Sequence, residues 1–460
     1  MLSIIEDLIN LFKNKQLEDE GNEYSFVDLI RQKKIGEAIS MMKGYDDDVD
    51  VALMEYFPNK HIVTKRPNKR RKKGTPYISA KLPRKRQQYI NEVALFFLLN
   101  NPIRWTKKNG SDDAYNAFTK FLNDTHFNSK MREFKRIAGA ETECAKLYHI
   151  YRNNDKPDCR VVVLARSTGY KLRHLIDQYG KMQAFAYGYT TKFKSKTTQH
   201  WDIQTKDFIF NCTKGRVGWD VEVYDNPTGK INIIYSHQNK EWDGVQERCD
   251  REEDVDSRQA DNNNYFSDPI AKASADVIKS MADPQAIGKF IQLNGKDSYF
   301  EYVSPPQVSD GWRLEKEGLK SSILNDSFTP DFSYEGIKGY GTLTGAALRN
   351  ALTIGYIKRN LNIEKYEELV ARELSVIISV LKILHPEINF DDFEVSFEFA
   401  DPLAEDKQTL WGALSSAKTS GIISTETAVS MLGLTNDNDV EVERINQSNS
   451  PNETDKDLPQ

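Results

Sequence analysis

Residues 342–385 contain no proline and are rich in strong helix formers, with Leu348, Leu352, Ile357, Leu369, Leu374, Ile378 and Leu381 spread through them. One helix of ~40 residues would run ~60 Å at ~1.5 Å per residue, far beyond the ordinary helix of a globular domain. Gly355 is expected to kink it.

The segments around this helix are mixed. Short helices are expected over residues 1–55, where Ile4, Ile5, Leu8, Ile9 and Phe12 recur at helical spacing. YINEVALFFLLNNPIRW reads as a buried helix stopped by Asn100-Asn101-Pro102, and residues 112–140 as further helix. Strands are expected in RVVVLARS, QAFAYGYTTKF, DFIFNC, VGWDVEVY and KINIIYS, with Asn226-Pro227-Thr228-Gly229 as a hairpin turn between the last two. FEVSFEF (393–399) alternates as one strand, and LWGALSSAKTS and STETAVSMLG follow as short helices, the second capped by Ser424. The fold class is α+β, built on antiparallel sheet. The tail from about residue 447 is polar enough to be expected disordered.

Two helices stand out by their polarity. Residues 241–260, EWDGVQERCDREEDVDSRQA, carry eight acids against three bases, with Trp242, Val245 and Cys249 as a thin apolar stripe. SDGWRLEKEGLKSSILNDS offers only Trp312, Leu319 and Ile323 on one side. Helices so polar are expected to lie against other helices, those of neighbouring chains included. Between them, DPIAKASADVIKSM reads as helix, and KFIQLNG and SYFEYVS as strands. After them FTPDFSYEGIKGYGTLTG reads as a long loop, of the kind that is usually functional or disordered.

The chain has 39% hydrophobic and 28% charged residues and a mean hydropathy of −0.63. A chain of 460 residues that closed on itself would bury most of its apolar surface, so this polarity suggests an elongated or partner-dependent subunit. Net charge is −5, which does not mark a protein that coats DNA. Four scattered cysteines without a C-x-x-C pair argue against a disulfide framework or a cysteine zinc site. The opening stretch has acids inside its apolar positions and is expected to be an amphipathic helix rather than a signal peptide. No apolar run reaches the ~20 residues a membrane span needs, and a soluble, intracellular origin is expected.

Motifs for chemistry are absent. The glycines of GYGTLTG follow a helix rather than a strand, their spacing is not that of a dinucleotide fold, and no Gly-Lys is followed by Ser or Thr. They are expected to give mobility and to free a helix start. No two of the seven histidines lie at i, i+4, and no G-x-S-x-G is present. Asp331, Glu335, Asp391, Asp392, Glu394 and Glu398 are the carboxylates a metal-dependent nuclease would use, yet Glu394 and Glu398 alternate outward on a strand. No catalytic residue, metal ligand or cofactor is expected. Between Glu55 and Glu92 lie twelve lysines and arginines and no acid. Lys65, Arg66, Lys69, Arg70, Arg71, Lys72 and Lys73 could contact phosphates; the plainer alternatives are a solvated loop or one facing an acidic neighbour.

The order of parts, an α+β module, polar helix, small insert, polar helix, glycine-bearing loop, very long helix, strand and terminal helices, resembles the portal proteins (head–tail connectors) of tailed bacteriophages, especially the smaller siphophage type. YINEVALFFLLNNPIRW, GKINIIYSHQNKEWDGV, GIISTETAVSMLG and the run Thr344-Gly345-Ala346-Ala347-Leu348-Arg349 are the matching segments; in the last, Thr and Arg stand where the family has Ser and Lys. The resemblance implies a wing (1–240 and 346–400), stem helices (241–266 and 307–327), a clip (267–306), a tunnel loop (328–345), a short helical crown (401–446) and a tail (447–460). It implies tunnel-loop contacts at Ser333, Tyr334, Lys338 and Tyr340, and channel lysines at Lys316 and Lys320. It also implies a homo-oligomeric ring, twelve-membered as in the family, located in the virion at one capsid vertex and assembled in the bacterial cytoplasm. Expected partners are double-stranded DNA in transit, the terminase large subunit, major capsid and scaffolding proteins, and head–tail adaptor proteins, with no membrane. The competing readings are a metal-dependent nuclease or other nucleic-acid-binding enzyme using residues 60–86, and a different ring or scaffold component of the virion.

Overall fold

The computed structural model describes residues 26–68, 78–154, 156–194, 196–267, 271–273, 297, 299–302, 309–340, 345–403, 407–432 and 441–445. The helices expected before residue 26 and the tail after 447 fall outside these. The chain forms two compact units, residues 1–331 with 354–400, and residues 332–353 with 401–460.

In the first unit the helix Arg86–Leu99 has no single apolar face and is buried around most of its circumference, with Ile90, Val93, Ala94, Phe97, Leu98 and Leu99 enclosed and Glu92 exposed. β1 (Arg104–Asn109) follows, and then the helix Asp112–Asp124. Ser111 caps that helix by accepting a hydrogen bond from the Ala114 amide at 3.1 Å, and two acids sit in its first turn. A second helix, Phe127–Glu141, packs beside it. The long helix Thr353–Leu384 lays Tyr366, Val370, Ile377, Val380 and Leu381 onto Phe118, Phe121, Phe134 and Tyr148, making the main core.

The described residues of the unit also carry four antiparallel sheets, the smallest a two-stranded ribbon of β10 (Ala271–Ala273) and β11 (Phe300–Tyr302). β1 pairs with β12 (Glu394–Glu398), placing Trp105 opposite Phe397. β2 (Glu143–Asn153) is the middle strand between β3 (Lys156–Leu164) and β9 (Ile233–His237). β4 (Lys171–Ile176), β5 (Met182–Phe193), β6 (Lys196–Thr205), β7 (Phe208–Lys214) and β8 (Trp219–Asp225) form a five-stranded meander. Leu147 and Ile233 of the one sheet meet Leu172 and Phe185 of the other in a shared apolar cluster.

Several expectations are corrected. The turn at Asn226–Gly229 forms, with Gly229 at φ 61°, but it joins two sheets rather than the arms of a hairpin. β8 pairs with β7 and β9 with β2, and the Asn226 side chain pins the crossing by donating to the carbonyls of Thr205 and Lys230 at 2.9 and 2.7 Å. The long helical run is two helices, Gly345–Ala351 and Thr353–Leu384, interrupted at Leu352, with Gly355 inside the second. Gly355 lets Phe97 approach: a Cβ there would lie 2.3 Å from the Phe97 ring. Ala271–Ala273, expected within a helix, is β10, paired antiparallel with β11 (Phe300–Tyr302), where a strand was expected. KFIQLNG lies outside the described residues. The expected loop at 328–345 contains a helix, Tyr334–Tyr340, started by Ser333, whose hydroxyl accepts from the Gly336 amide.

The second unit contains that helix, Gly345–Ala351, Lys407–Thr419 and Thr425–Leu432. Arg349 pairs with Asp401 at 3.4 Å. Ser424 caps its helix by accepting from the Thr427 amide at 3.1 Å.

Candidate functional site

The acidic helix runs Gln246–Ser267, and the helix Ser309–Asp326 returns alongside it. Sequence reading places Trp242 on the first of these. In the structure Trp242 precedes it, because Gly244 at φ 79° turns the chain before the helix begins. Trp242 is fully buried, stacks on Tyr56 and donates its indole N–H to Glu55 at 2.8 Å. With Ile90, Val245, Cys249 and Ile323 it pins the base of both helices.

Beyond this pin the acidic helix is held by charge. Four of its acids, Glu252, Glu253, Asp256 and Asp261, are buried, although their polarity alone predicts exposure. The described residues of the basic segment that precedes Arg86–Leu99, 60–68 and 78–85, lie along them as a strap. Arg86 donates two parallel bonds to Glu252 at 2.8 and 2.7 Å, the bidentate geometry that makes arginine a strong carboxylate partner. Arg84 pairs with Asp256 at 2.5 Å, and Arg66 with Asp261 at 3.2 Å and Asp254 at 3.8 Å. Backbone N–H groups join in: Ala80 donates to Asp261 and Leu82 to Ser257. The returning helix adds Arg251–Glu315 at 2.7 Å, Lys316–Asp256 at 2.7 Å and Arg248–Asp326. The helix therefore finds most of its missing support in its own chain. Residue-level polarity could not reveal this, because the pairing partners lie about 170 residues away.

His61 is clamped in the same strap. Its Nδ1 is 2.6 Å from the Glu253 carboxylate and its Nε2 is 2.7 Å from the Glu55 carbonyl. Both partners are acceptors, so both ring nitrogens carry protons. Burial works against that charge, but Glu253, the Glu55 carbonyl and Asp250 outweigh it and hold the His61 pKa above its usual value. A raised folded pKa stabilises fully below the unfolded value of about 6.5 and fades as pH rises through the folded one. Urea midpoints should therefore fall as pH is raised through that range, and His61→Gln should flatten this slope.

A second buried cluster, without a sequence signal, lies below the acidic helix. Glu241 is ion-paired with Lys135 from Phe127–Glu141 and, at 3.3 Å, with Lys358 from the long helix. Lys358 also donates to the carbonyls of Glu241 and Ser327, each at 3.0 Å. One ammonium thus ties the long helix to the start of the acidic helix and the end of the returning one.

The expected site residues fall as follows. Lys316 is part-buried on Asp256, and Lys320 pairs with Asp331 at 2.6 Å. Lys338 lies 3.7 Å from Glu335 and over the Tyr334 ring. Tyr334 is exposed, Ser333 is the cap of its helix and Tyr340 closes that helix. Lys65 is exposed and Arg66 is taken up by Asp254 and Asp261; Lys69, Arg70, Arg71, Lys72 and Lys73 lie outside the described residues. Glu394 and Glu398 face outward on β12, as their alternation predicts. Among the described residues, no group of three or more His, Cys, Asp or Glu is gathered to hold a metal ion. No helix among them is long and apolar enough to cross a membrane.

Residues 40–453 match the family described as phage portal protein, SPP1 Gp6-like. The chain belongs to that family. A portal protein is a head–tail connector of a bacteriophage, and the family is structural rather than enzymatic. No curated protein sequence matches this portal protein. Among solved structures it is similar to a chain titled "Neck of native GTA particle computed with C12 symmetry", with 11% identity, a TM-score of 0.43, and 76% of this chain and 91% of that one covered. It is also similar to a chain of "Virion of native gene transfer agent (GTA) particle", at 9% identity and a TM-score of 0.40, covering 76% and 92%.

Proposed function

We propose that this portal protein forms a ring, dodecameric in the particle, at one capsid vertex, and that duplex DNA enters and leaves through its axis. Residues 1–240 and 346–400 serve as wing, 241–266 and 307–327 as stem, 267–306 as clip, 328–345 as tunnel loop and 401–446 as crown. The clip docks the terminase large subunit during packaging. Capsid and scaffolding proteins surround the ring, and head–tail adaptors bind it afterwards. Family membership over residues 40–453 is the observation that carries this reading.

The charge pattern supports it. A channel must let duplex slide, and clustered unpaired cations would trap it through counterion release. Lys316, Lys320 and Lys338 each have a carboxylate of the same chain within 4 Å. If they face the axis, each ring of lysines is a softened positive belt in a chain of net charge −5. Ser333, Tyr334 and Tyr340 complete the proposed contact segment.

Preheads assembled with and without the chain, then supplied with terminase, duplex DNA and ATP, provide the test. Nuclease-protected DNA is expected only in preheads that contain it. Equal uptake without it, or magnesium-dependent cutting of the duplex by the purified chain, would overturn the proposal.

A further inference from the structure

The five-stranded sheet ends in two neighbouring hairpin tips. β5 and β6 close with Phe193 opposite Lys196, and β7 and β8 with Lys214 opposite Trp219. The β6–β7 pairing begins at His200 and Thr213, so both tips lie at the same end of the sheet, and the β5–β6 arm runs ~13 Å past that pair, at ~3.3 Å per residue. Lys214 reaches back to this arm, donating to Gln199 at 3.3 Å.

Phe193 is 77% exposed and Val217 fully so. Around them Lys192, Lys194, Lys196, Lys214 and Arg216 are all exposed, and among the described residues none is in an ion pair. An aromatic and an aliphatic knob set among five cations suit a surface that is itself apolar and acidic.

The same chain carries such a surface. On the outer side of the long helix, Ile357, Leu361, Glu364 and Glu368 recur at i, i+4, i+7 and i+11, one stripe ~16 Å long. Ile357 and Leu361 are 44% and 52% exposed, and both glutamates are exposed and outside any ion pair among the described residues. Two different, mutually complementary patches on one chain are what a head-to-tail ring contact requires. We propose that the paired hairpin tips of one subunit dock on the Ile357–Glu368 stripe of the next copy. This inference rests on the ring reading and names the contact that closes the ring.

Charge exchange tests it. The triple variant Lys192→Glu, Lys194→Glu, Arg216→Glu and the double variant Glu364→Lys, Glu368→Lys alter only exposed side chains, so each should unfold in urea as the unaltered chain does. Each is expected to raise the concentration at half-assembly by roughly tenfold or more, read by mass photometry. Combining both sets in one chain should restore assembly. In addition, Phe193→Cys with Leu361→Cys should give a ladder of covalent oligomers on oxidation. If the unaltered chain forms rings and neither reversal changes them, this contact is wrong and the ring stands. If the combined set fails to restore assembly, or the triple variant loses only duplex-DNA binding, the hairpin tips serve something other than a second copy. If the unaltered chain forms no ring, with or without capsid proteins, the ring reading fails and the contact with it.

Discussion

Replacing Glu241 by Gln is expected to cost about 3–5 kcal/mol of stability, because it strands two lysines inside the protein. Lys135 is fully enclosed and Lys358 nearly so, and Glu241 is their shared counter-charge. Burial alone would raise the Glu241 pKa, but Lys135 and Lys358 together bring it down to about 2. A depressed carboxylate pKa stabilises the fold above the unfolded value of about 4.3, and that contribution is lost as pH falls toward about 2. Urea unfolding followed by tryptophan fluorescence should show the loss at neutral pH. The variant's stability should also depend less on pH below about 4. Adding Lys358→Met should recover part of the loss, since one of the two stranded charges is then gone. An unchanged midpoint for Glu241→Gln would mean that the cluster does not join the long helix to the acidic one.

The second large effect concerns the strap. Arg84→Gln with Arg86→Gln removes three of the contacts to Glu252 and Asp256 and leaves Glu252 buried without its bidentate partner. Breaking a buried pair from one side costs about 3–5 kcal/mol. Here the loss should be local, because the strap grips only the acidic helix above its Trp242 pin. Amide exchange over residues 246–261 should accelerate by roughly 10²–10³-fold, while β5 and β6 keep their protection. Uniform acceleration across the chain would show that the strap supports the global fold rather than this helix.

What was legible in the sequence follows from which interactions are local. The proline-free run, the alternation of residues 393–399 and the Ser424 cap are set by neighbours two to four positions away, and they appear as two helices, a strand and a cap. β2 was not legible, because Glu143 and Lys146 sit inside a central strand. Lys146 is neutralised by Glu373 at 2.5 Å, more than two hundred residues on, with Tyr148 donating to the same carboxylate. The helix Tyr334–Tyr340 was hidden by its glycines, which read as a loop until Ser333 is seen capping it. At the acidic helix, a run of carboxylates looks solvated whether it faces water or arginine, and only the fold brings His61, Arg66, Arg84 and Arg86 against residues 252–261. The charge of residues 65–73 is plain in the sequence and is compatible with an acidic neighbour. Of residues 65–73, Arg66 faces Asp254 and Asp261, while Lys69 to Lys73 lie outside the described residues; Arg84 and Arg86, beyond that run, pair with Asp256 and Glu252.

The central claim is a closed ring with an axial opening, and electron microscopy of the purified protein tests it most directly. End-on class averages are expected to show rotational symmetry around a hole wide enough to pass a DNA duplex. Symmetric assemblies without an axial opening, or monomers at every concentration both alone and with capsid proteins, would contradict it.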